Sequence, residues 1–238
     1  MPRFYVDTAL RAGTSCQLPE ESAHHAVHVL RIRTGDDVAL FNGRGGEYAA
    51  RVASIERLKV LVDVLEHRAI ERESPLRMLL VQGVSAGERM DFTVRKAVEL
   101  GVAEIHPLLA TSSVARPKRE RAASRHAHWQ KIVFAACEQC GRNRIPLVQP
   151  LVPALEYRGA TGTKVLLAPQ AELRFSQACA SGDEFTIAAG PEAGFSAAEQ
   201  EAFLDAGFVP ARLGARILRT ETAGLAALAA LSALRGDF

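Results

Sequence analysis

The chain has 238 residues, of which 48% are hydrophobic and 24% are charged, with a formal net charge of +2. These values are typical of a globular protein with a sizeable core. No run of about 18 apolar residues predicts a membrane span. The opening sequence MPRFYVDTAL also lacks the apolar centre of a secretory signal, so we expect a cytoplasmic protein without a membrane partner.

The first 73 residues are predicted to form mostly short strands. Alternating or β-branched runs occur in DDVALFN, EYAARVASIE and LKVLVDVLEH, and the turn sequences TGDD, NGRGGE and ERLK separate them. One short helix is predicted over ESAHHAVHVLRI. A small barrel with one helix fits this pattern. The charged run ERESP then predicts a linker, which divides the chain into domains 1–72 and 73–238.

Strands and helices alternate in the rest of the chain. The predicted strands are LRMLLVQGV, AEIHPLLA, TKVLLAP, EFTIAAG and FVPARLG. The predicted helices are GERMDFTVRKAVELGV, RERAASRHAHWQKIVFAACEQC, SAAEQEAFLDAG and TAGLAALAALSAL. Gly101 ends the first helix, and Ser196 with Glu199 forms a capping box at the third. This alternation predicts an α/β domain with a parallel sheet covered on both faces.

Histidine and cysteine spacing does not predict a metal site. Cys137 and Cys140 form a CxxC pair at the end of a helical pattern, without a second pair or histidines at ligand spacing. His24 and His28 lie one helical turn apart but have no acidic partner in place. We interpret all four as ordinary residues of helices and expect no metal.

One segment of the chain is strongly basic. Residues 110–146 contain 8 Lys and Arg against 2 Asp and Glu, whereas the rest of the chain is nearly balanced. A concentrated positive charge fits a polyanionic partner, whose phosphates it would neutralise. The alternative is a solvated helix face, and charge alone leaves both interpretations open.

Two loops are the best candidates for a ligand site. The chain has no GxGxxG, GxxxxGK[ST] or GxSxG motif, which argues against a dinucleotide fold, a P-loop nucleotidase and a serine hydrolase. The loops are IAAGPEAGFS at 187–196 and LGARILRTET at 213–222. Each follows the carboxyl end of a predicted parallel strand, where open α/β sheets bind ligands. Either loop alone could equally be an ordinary strand–helix turn.

The motifs in these loops resemble those of the bacterial RsmE family. GPEAGFSAAE and LGARILRTETA carry the resemblance, together with HAVHVLRI, RKAVELGV and ACEQCGRNRIP, and it extends over nearly the whole chain. The family consists of small-subunit ribosomal RNA uracil-N3 methyltransferases of the SPOUT superfamily. The resemblance implies an N-terminal PUA-like β-barrel that binds RNA, followed by an α/β SPOUT domain with a C-terminal trefoil knot.

The resemblance also implies the cofactor and the partners. S-adenosylmethionine would bind in the knot, two copies would form a homodimer, and N3 of one uridine in the small-subunit rRNA would be methylated within the 30S subunit. Knots are very rare in proteins, so the residue pattern alone could not have predicted this one.

The cofactor site, transferred by motif, consists mainly of backbone groups and apolar side chains of the two loops. The residues expected to form it are Leu167, Ala189, Gly190, Pro191, Leu213, Gly214, Ile217, Leu218 and Thr220. Thr220 is expected to start and cap the last helix, whose positive end would help to hold a polar ligand group.

Methylation at uracil N3 requires removal of a proton or stabilisation of negative charge on O2 and O4. Arg219, or Arg142 in the sequence GRNR, is the candidate for stabilising that charge. Glu221 is the candidate proton acceptor, although it could equally orient Arg219. A carboxylate favoured by the helix dipole is a third interpretation of Glu221, and the sequence does not decide among them.

Four residues of the basic segment are the expected RNA phosphate contacts: Arg116, Lys118, Arg119 and Arg125. Two positions depart from the family pattern, because Ala193 stands where the family usually has Gly and Cys140 where it commonly has Ser. Ala193 requires that the loop avoid a left-handed conformation there, or that it accept strain.

Two alternative functions remain at this point. One is a related SPOUT enzyme that methylates another RNA atom, such as a ribose 2′-oxygen. The other is a ribosome-assembly factor that keeps the fold but has no catalytic activity.

Overall fold

The structure, a computed structural model, describes residues 1–57, 59–112 and 119–238, without the side chains of residues 119–121. It divides into two compact units. The first contains Met1–Glu73 and Cys137–Ile145, and the second contains Ser74–Ala136 and Pro146–Phe238. The predicted boundary at 72/73 lies beside this division, but residues 137–145, which the prediction placed in the second domain, pack with the first unit.

The first unit is a five-stranded sheet with one helix. Its elements are β1 (Arg3–Tyr5), β2 (Ser15–Gln17), α1 (Glu20–His28), β3 (Asp37–Phe41), β4 (Glu47–Glu56) and β5 (Lys59–Arg68). The strand order is β1-β3-β4-β5-β2. Every pairing is antiparallel except β1 with β3. This sheet and helix confirm the predicted strand-rich N-terminal domain with one helix, although β1 and β2 were not predicted, and closure of the sheet into a barrel stays a prediction.

Alternation along β5 shows why these residues form a half-buried strand. Val60, Val62 and Val64 are buried in the core of the unit, and the residues between them face solvent. Successive side chains of a strand point to opposite faces, so these three valines share one face, which packs against α1 and the other strands. Strands β1 and β2 escaped prediction because three residues are too few to show alternation.

Polar contacts attach residues 137–145 to the first unit. The Arg3 guanidinium donates to the Asn143 side-chain oxygen at 2.7 Å, and the Asn143 amide donates to the Ile70 carbonyl at 2.6 Å. Arg142, which is only 5% exposed, donates through Nε to the Glu73 carboxylate at 2.9 Å. These side-chain contacts join positions about seventy or more residues apart, which is why strand and helix patterns did not reveal them.

The second unit is an α/β domain. Its strands are β6 (Arg77–Gly83), β7 (Glu104–Leu109), β8 (Leu147–Val148), β9 (Val152–Pro153), β10 (Thr163–Leu167), β11 (Glu184–Ala189) and β12 (Val209–Ala211). Its helices are α2 (Glu88–Glu99), α3 (Arg119–Cys140, which ends in the first unit), α4 (Phe175–Ala178), α5 (Ala197–Asp205) and α6 (Thr220–Arg235). A 3₁₀ turn covers Ala154–Glu156.

The sheet of the second unit is parallel throughout. Its order is β12-β10-β11-β6-β7-β8, with β9 also paired to β7. Strands β6 and β11 lie at the centre and are buried along almost their whole length, as expected where helices cover both faces. The predicted parallel α/β domain is therefore confirmed, as is the capping box at α5, where Ser196 and Glu199 exchange hydrogen bonds.

The described residues contain no group of three or more His, Cys, Asp or Glu side chains that could hold a metal ion. Within the same residues, no helix is both long and apolar enough to cross a membrane. All four cysteines are free thiols. Burial raises the pKa of Cys137 to about 12, so this thiol is neutral at physiological pH and behaves as a small apolar side chain.

A buried Tyr–His–Glu chain stabilises one edge of the second unit. The Tyr157 hydroxyl donates to Nδ1 of His106 at 3.1 Å, and Nε2–H of His106 donates to the Glu104 carboxylate at 3.2 Å. Burial lowers the pKa of His106, and the positive charge of Arg77 adds to this effect, whereas the Glu104 carboxylate opposes it. His106 is therefore neutral in the folded protein over a wider pH range than in the unfolded chain.

We predict that His106 makes the second unit less stable as the pH falls from neutral through the ordinary histidine pKa of about 6.5. The unfolded chain takes up a proton near the usual histidine pKa of 6.5, and the folded chain resists it, so acid favours unfolding until the folded pKa is reached. His106→Gln should lose less stability over this interval. Urea unfolding followed by the fluorescence of Trp129, the single tryptophan, measures it.

An equal loss of stability in His106→Gln and in the original chain would contradict the prediction.

Candidate functional site

The site lies at the carboxyl edge of the parallel sheet. Strands β10, β11 and β12 run in the same direction and end at this edge, so the three segments that follow them meet there. They enclose a cavity of about 590 Å³, a volume in the usual range for small-molecule sites. The lining residues come from 167–169, 189–194, 211–214, 216–221, Arg89 and Ala223.

The loop after β11 is a tight turn held against the end of β6. The Gly194 N–H donates to the Pro191 carbonyl at 2.8 Å, and Gly194 has a φ of 73°, which favours glycine. A Cβ on Gly83 would lie 2.4 Å from Cδ of Pro191, so only glycine permits this contact between strand and loop. The glycines therefore hold the turn against the sheet and bring its backbone to the cavity.

Glu192, at the tip of this turn, is bonded to the start of α2. Its Oε1 accepts hydrogen bonds from the Ala86 N–H and from the Arg89 guanidinium, each at 3.0 Å. Burial alone would raise the pKa of this carboxyl, but these hydrogen bonds and the charge of Arg89 hold the pKa below its usual value. Glu192 is consequently a carboxylate with its charge already balanced at the wall of the cavity.

Ala193 occupies a backbone conformation open to any residue. Among the described non-glycine residues only Arg31 and Arg57 have positive φ, so Ala193 avoids the left-handed region. The sequence left open whether the loop avoids a left-handed conformation at Ala193 or accepts strain there. The structure shows that the loop avoids it.

Thr220 links the second loop to the first. Its hydroxyl donates to the Gly190 carbonyl at 2.6 Å and accepts a hydrogen bond from the Gln82 amide at 3.0 Å. The prediction that Thr220 caps α6 is wrong, because Arg219 occupies the N-cap position and Thr220 is the first helical residue. The hydroxyl bonds across the cavity wall instead of folding back onto the helix.

Four arginines and two glutamates line the cavity, and they differ in their partners. Arg89 pairs with Glu192, and Arg212 donates to the Ala171 carbonyl at 3.2 Å. Within the described residues, the side chains of Arg216, Arg219 and Glu221 make no hydrogen bond or ion pair. Two guanidinium groups and one carboxylate are therefore available to a ligand.

All nine residues predicted for the cofactor site line this cavity, as do Arg219 and Glu221. Arg142 lies in the other compact unit, where it is bonded to Glu73. Among the predicted RNA contacts, Arg116 and Lys118 lie outside the described residues, as does the side chain of Arg119. Arg125 is described and lies half-buried on α3.

Four residues at or beside the cavity were not predicted from the sequence: Gln82, Arg89, Glu192 and Arg216. Glu192 and Arg216 stand inside the two quoted loops, so their charge in a ligand loop was a signal that could have identified them. Gln82 and Arg89 belong to a distant strand and helix and reach the loops only in the folded chain.

Comparison with known families relates the two units to RNA methyltransferases. A family model described as an RNA methyltransferase domain matches residues 72–232, and one described as an RNA methyltransferase PUA domain matches residues 18–65.

The similarity to known proteins extends over the whole chain. It is 32% identical to a ribosomal RNA small subunit methyltransferase E of Buchnera aphidicola, over 100% of this chain and 95% of the relative. For the enzyme of the same name from Bacillus subtilis, the identity is 31% over 100% of both chains. A crystal structure of ribosomal RNA small subunit methyltransferase E from Neisseria gonorrhoeae, bound to S-adenosyl methionine, superposes with a TM-score of 0.92 at 38% identity, covering 100% and 99% of the two chains.

We predict that Ala193→Gly lowers the free energy of unfolding by about 0.4–1 kcal/mol. Since Ala193 is unstrained, glycine only adds freedom to the unfolded chain. The neighbouring Gly194→Ala is expected to cost about 1–2 kcal/mol, because its φ of 73° is unfavourable to a side chain, although a Cβ there would meet no atom within 4 Å. Urea unfolding measures both, and a more stable Ala193→Gly would show that Ala193 is strained.

Proposed function

Because this chain belongs to the ribosomal RNA small subunit methyltransferase E (RsmE) family, we propose that it methylates N3 of one uridine in small-subunit rRNA, with S-adenosylmethionine as methyl donor. The observation that carries the proposal is the cavity itself, which brings together nine residues from three separate segments that the family motifs assign to the cofactor. A structural scaffold without catalysis would have no need to keep unpaired charged groups beside such a cavity.

The cavity fits the proposed cofactor chemically. Its walls include the apolar side chains of Leu167, Leu213 and Leu218 and the backbone of two glycine-containing loops, which suits the flat adenine ring and its polar edges. The volume of about 590 Å³ accommodates a nucleoside carrying an amino-acid chain. When bound, S-adenosylmethionine supplies a methyl group on a positively charged sulfur, which leaves as a neutral thioether.

Arg219 and Glu221 are the proposed catalytic residues. A neutral uracil N3 carries a proton and is a poor nucleophile, so a base must take that proton and a cation must stabilise charge on the uracil oxygens. Arg219 is proposed to do the second, because its side chain lines the cavity and has no ion-pair partner among the described residues. Glu221 is proposed to do the first, because the structure has no ion pair between these two side chains, which argues against a role for Glu221 in orienting Arg219.

We propose a structural role for Arg142 in place of the catalytic one. A buried guanidinium bonded to Glu73 is held by its partner, and breaking such a pair typically costs about 3–5 kcal/mol. Arg142 would accordingly hold residues 137–145 in the first unit.

The remaining expectations from the family are part of the same proposal. The PUA-like unit and the basic segment with Arg116, Lys118, Arg119 and Arg125 would contact rRNA through its phosphates. The chain would act in the cytoplasm as a homodimer on the assembled 30S subunit, with its cofactor in a trefoil knot.

The test of the function is methylation of 30S subunits that lack the modification. Incubation with the purified protein and labelled S-adenosylmethionine, followed by digestion and mass spectrometry, is expected to give N3-methyluridine at one position. Ribose methylation would overturn the N3 assignment. Absence of both methyl transfer and cofactor binding in calorimetry, with the protein folded, would favour the assembly factor.

We predict that Glu221→Gln lowers kcat by about 100- to 10,000-fold, the range for loss of a general base, with little change in the Kd for S-adenosylmethionine. Glu221→Asp, which keeps the carboxylate on a shorter chain, should retain more of the rate. Single-turnover kinetics and calorimetry separate the two effects. A nearly unchanged kcat in Glu221→Gln would contradict the proposed role as a base. The carboxylate would then only interact favourably with the dipole of α6.

A further inference from the structure

Gln82, the residue before the last of β6, is fully buried beside the cavity loops. Its amide nitrogen donates to the Thr220 hydroxyl at 3.0 Å and to the Gly83 carbonyl at 3.1 Å. Within the parallel sheet, Gln82 stands in register with Ala189 of β11, the residue before Gly190. One side chain from the centre of the sheet therefore reaches the start of α6, which is itself bonded to the loop after β11.

The direction of every hydrogen bond in this group is determined. The Thr220 hydroxyl gives its proton to the Gly190 carbonyl, so it can only accept from Gln82. The Gly83 carbonyl is likewise an acceptor, so reversing the amide would direct its oxygen at two acceptors. The Gln82 amide thus fixes the hydroxyl of Thr220 so that its proton points at Gly190.

This orientation of the Gln82 amide reduces the stability of the folded chain. The Gln82 oxygen is buried and has no hydrogen-bond partner among the described residues. An unsatisfied buried acceptor typically costs about 1–3 kcal/mol. An apolar side chain of similar size would avoid this cost, so stability alone does not explain a glutamine at this position.

Two glycines permit the close packing around Gln82. A Cβ on Gly224, within α6, would lie 3.1 Å from the Gln82 oxygen and 2.9 Å from Cδ1 of Leu80. Glycine inside a helix costs about 1 kcal/mol of stability relative to alanine. At position 224 this cost is accepted because only glycine lets α6 pack this closely against Gln82 and Leu80. On the other side, Gly83 permits the contact with Pro191 described above.

We propose that Gln82 is a positioning residue for methyl transfer and acts through Thr220. This inference rests on the proposed function, in which the neighbours of Thr220, Arg219 and Glu221, act on the uracil. The bond from Thr220 to Gly190 fixes Arg219 and Glu221 relative to the loop after β11, which is proposed to hold the methyl donor. Gln82 fixes that bond in turn, and so sets the distance between donor and acceptor on which the rate depends.

The test replaces Gln82 with methionine, which has similar length but donates no hydrogen bond. We expect kcat on 30S subunits to fall about 10- to 100-fold, the effect of a small misplacement of reacting groups. The Kd for S-adenosylmethionine should change by a smaller factor than kcat, since Leu167 and the residues before Arg219 also line the cavity and none of them is hydrogen-bonded to Gln82. Single-turnover kinetics and calorimetry on the full chain provide the two numbers.

Thr220 tests the same link from its other end. Thr220→Val removes the hydroxyl while keeping the shape and should lower kcat similarly, and Thr220→Ser should recover most of that loss. Because Gln82 acts through Thr220, the double variant should be no slower than Thr220→Val alone.

Gln130 on α3 provides the matched control. Its amide nitrogen donates to the Pro146 carbonyl at 3.2 Å and its oxygen accepts from the Val148 N–H at 3.1 Å, so Gln130→Met also removes two hydrogen bonds from the second unit. Gln130 is not a cavity residue. Its variant should lose stability in urea but keep kcat, which separates positioning from simple destabilisation.

The outcomes distinguish this inference from the function on which it rests. An original chain that fails to methylate 30S subunits would overturn the proposed function, and the role of Gln82 with it. An active original chain with a Gln82→Met kcat within about twofold would overturn the role of Gln82 alone. So would losses in Gln82→Met and Thr220→Val that multiply in the double variant, because the two residues would then act independently.

Discussion

The hydrogen bond from the Thr220 hydroxyl to the Gly190 carbonyl is the contact on which the site depends. The loop after β11 contains Gly190 and Gly194, and glycine-containing loops have many accessible conformations that folding must exclude. Because Gly190 precedes a proline, the peptide between them has no N–H and its carbonyl is the only polar group that can be held. Thr220 holds that carbonyl from the first turn of the last helix.

The register of the parallel sheet makes this bond possible. Pairing of Gln82 with Ala189 places the end of β6 next to the end of β11, and pairing of Leu167 with Ala211 does the same for β10 and β12. A parallel sheet brings all these carboxyl ends to one edge, so loops distant in sequence become neighbours. The two central strands are almost completely buried, which gives the loops a rigid support.

The sequence predicted those structural features that depend on residues close together in the chain. Continuous apolar runs indicated β6 and β11, and the capping box at Ser196 involves residues only three apart. The family motifs indicated the two loops that line the cavity. The bond from Gln82 to Thr220, in contrast, spans 138 positions, and no local pattern distinguishes Gln82 from any polar residue at the end of a strand. The sequence predicts Thr220 as a helix cap because threonine at the start of a helix usually bonds to nearby backbone N–H groups.

Pairing, more than charge count, determines what the charged residues of the cavity can do. Arg89 and Glu192 neutralise each other and hold the turn against α2, so their charges shape the site. Arg216, Arg219 and Glu221 have no such partners among the described residues, and they lie within six positions of one another. A polyanion brought to this cavity would therefore meet two uncompensated guanidinium groups beside one carboxylate. In the proposed function, the two guanidinium groups would attract the phosphates of RNA, and the Glu221 carboxylate would take the proton from uracil N3.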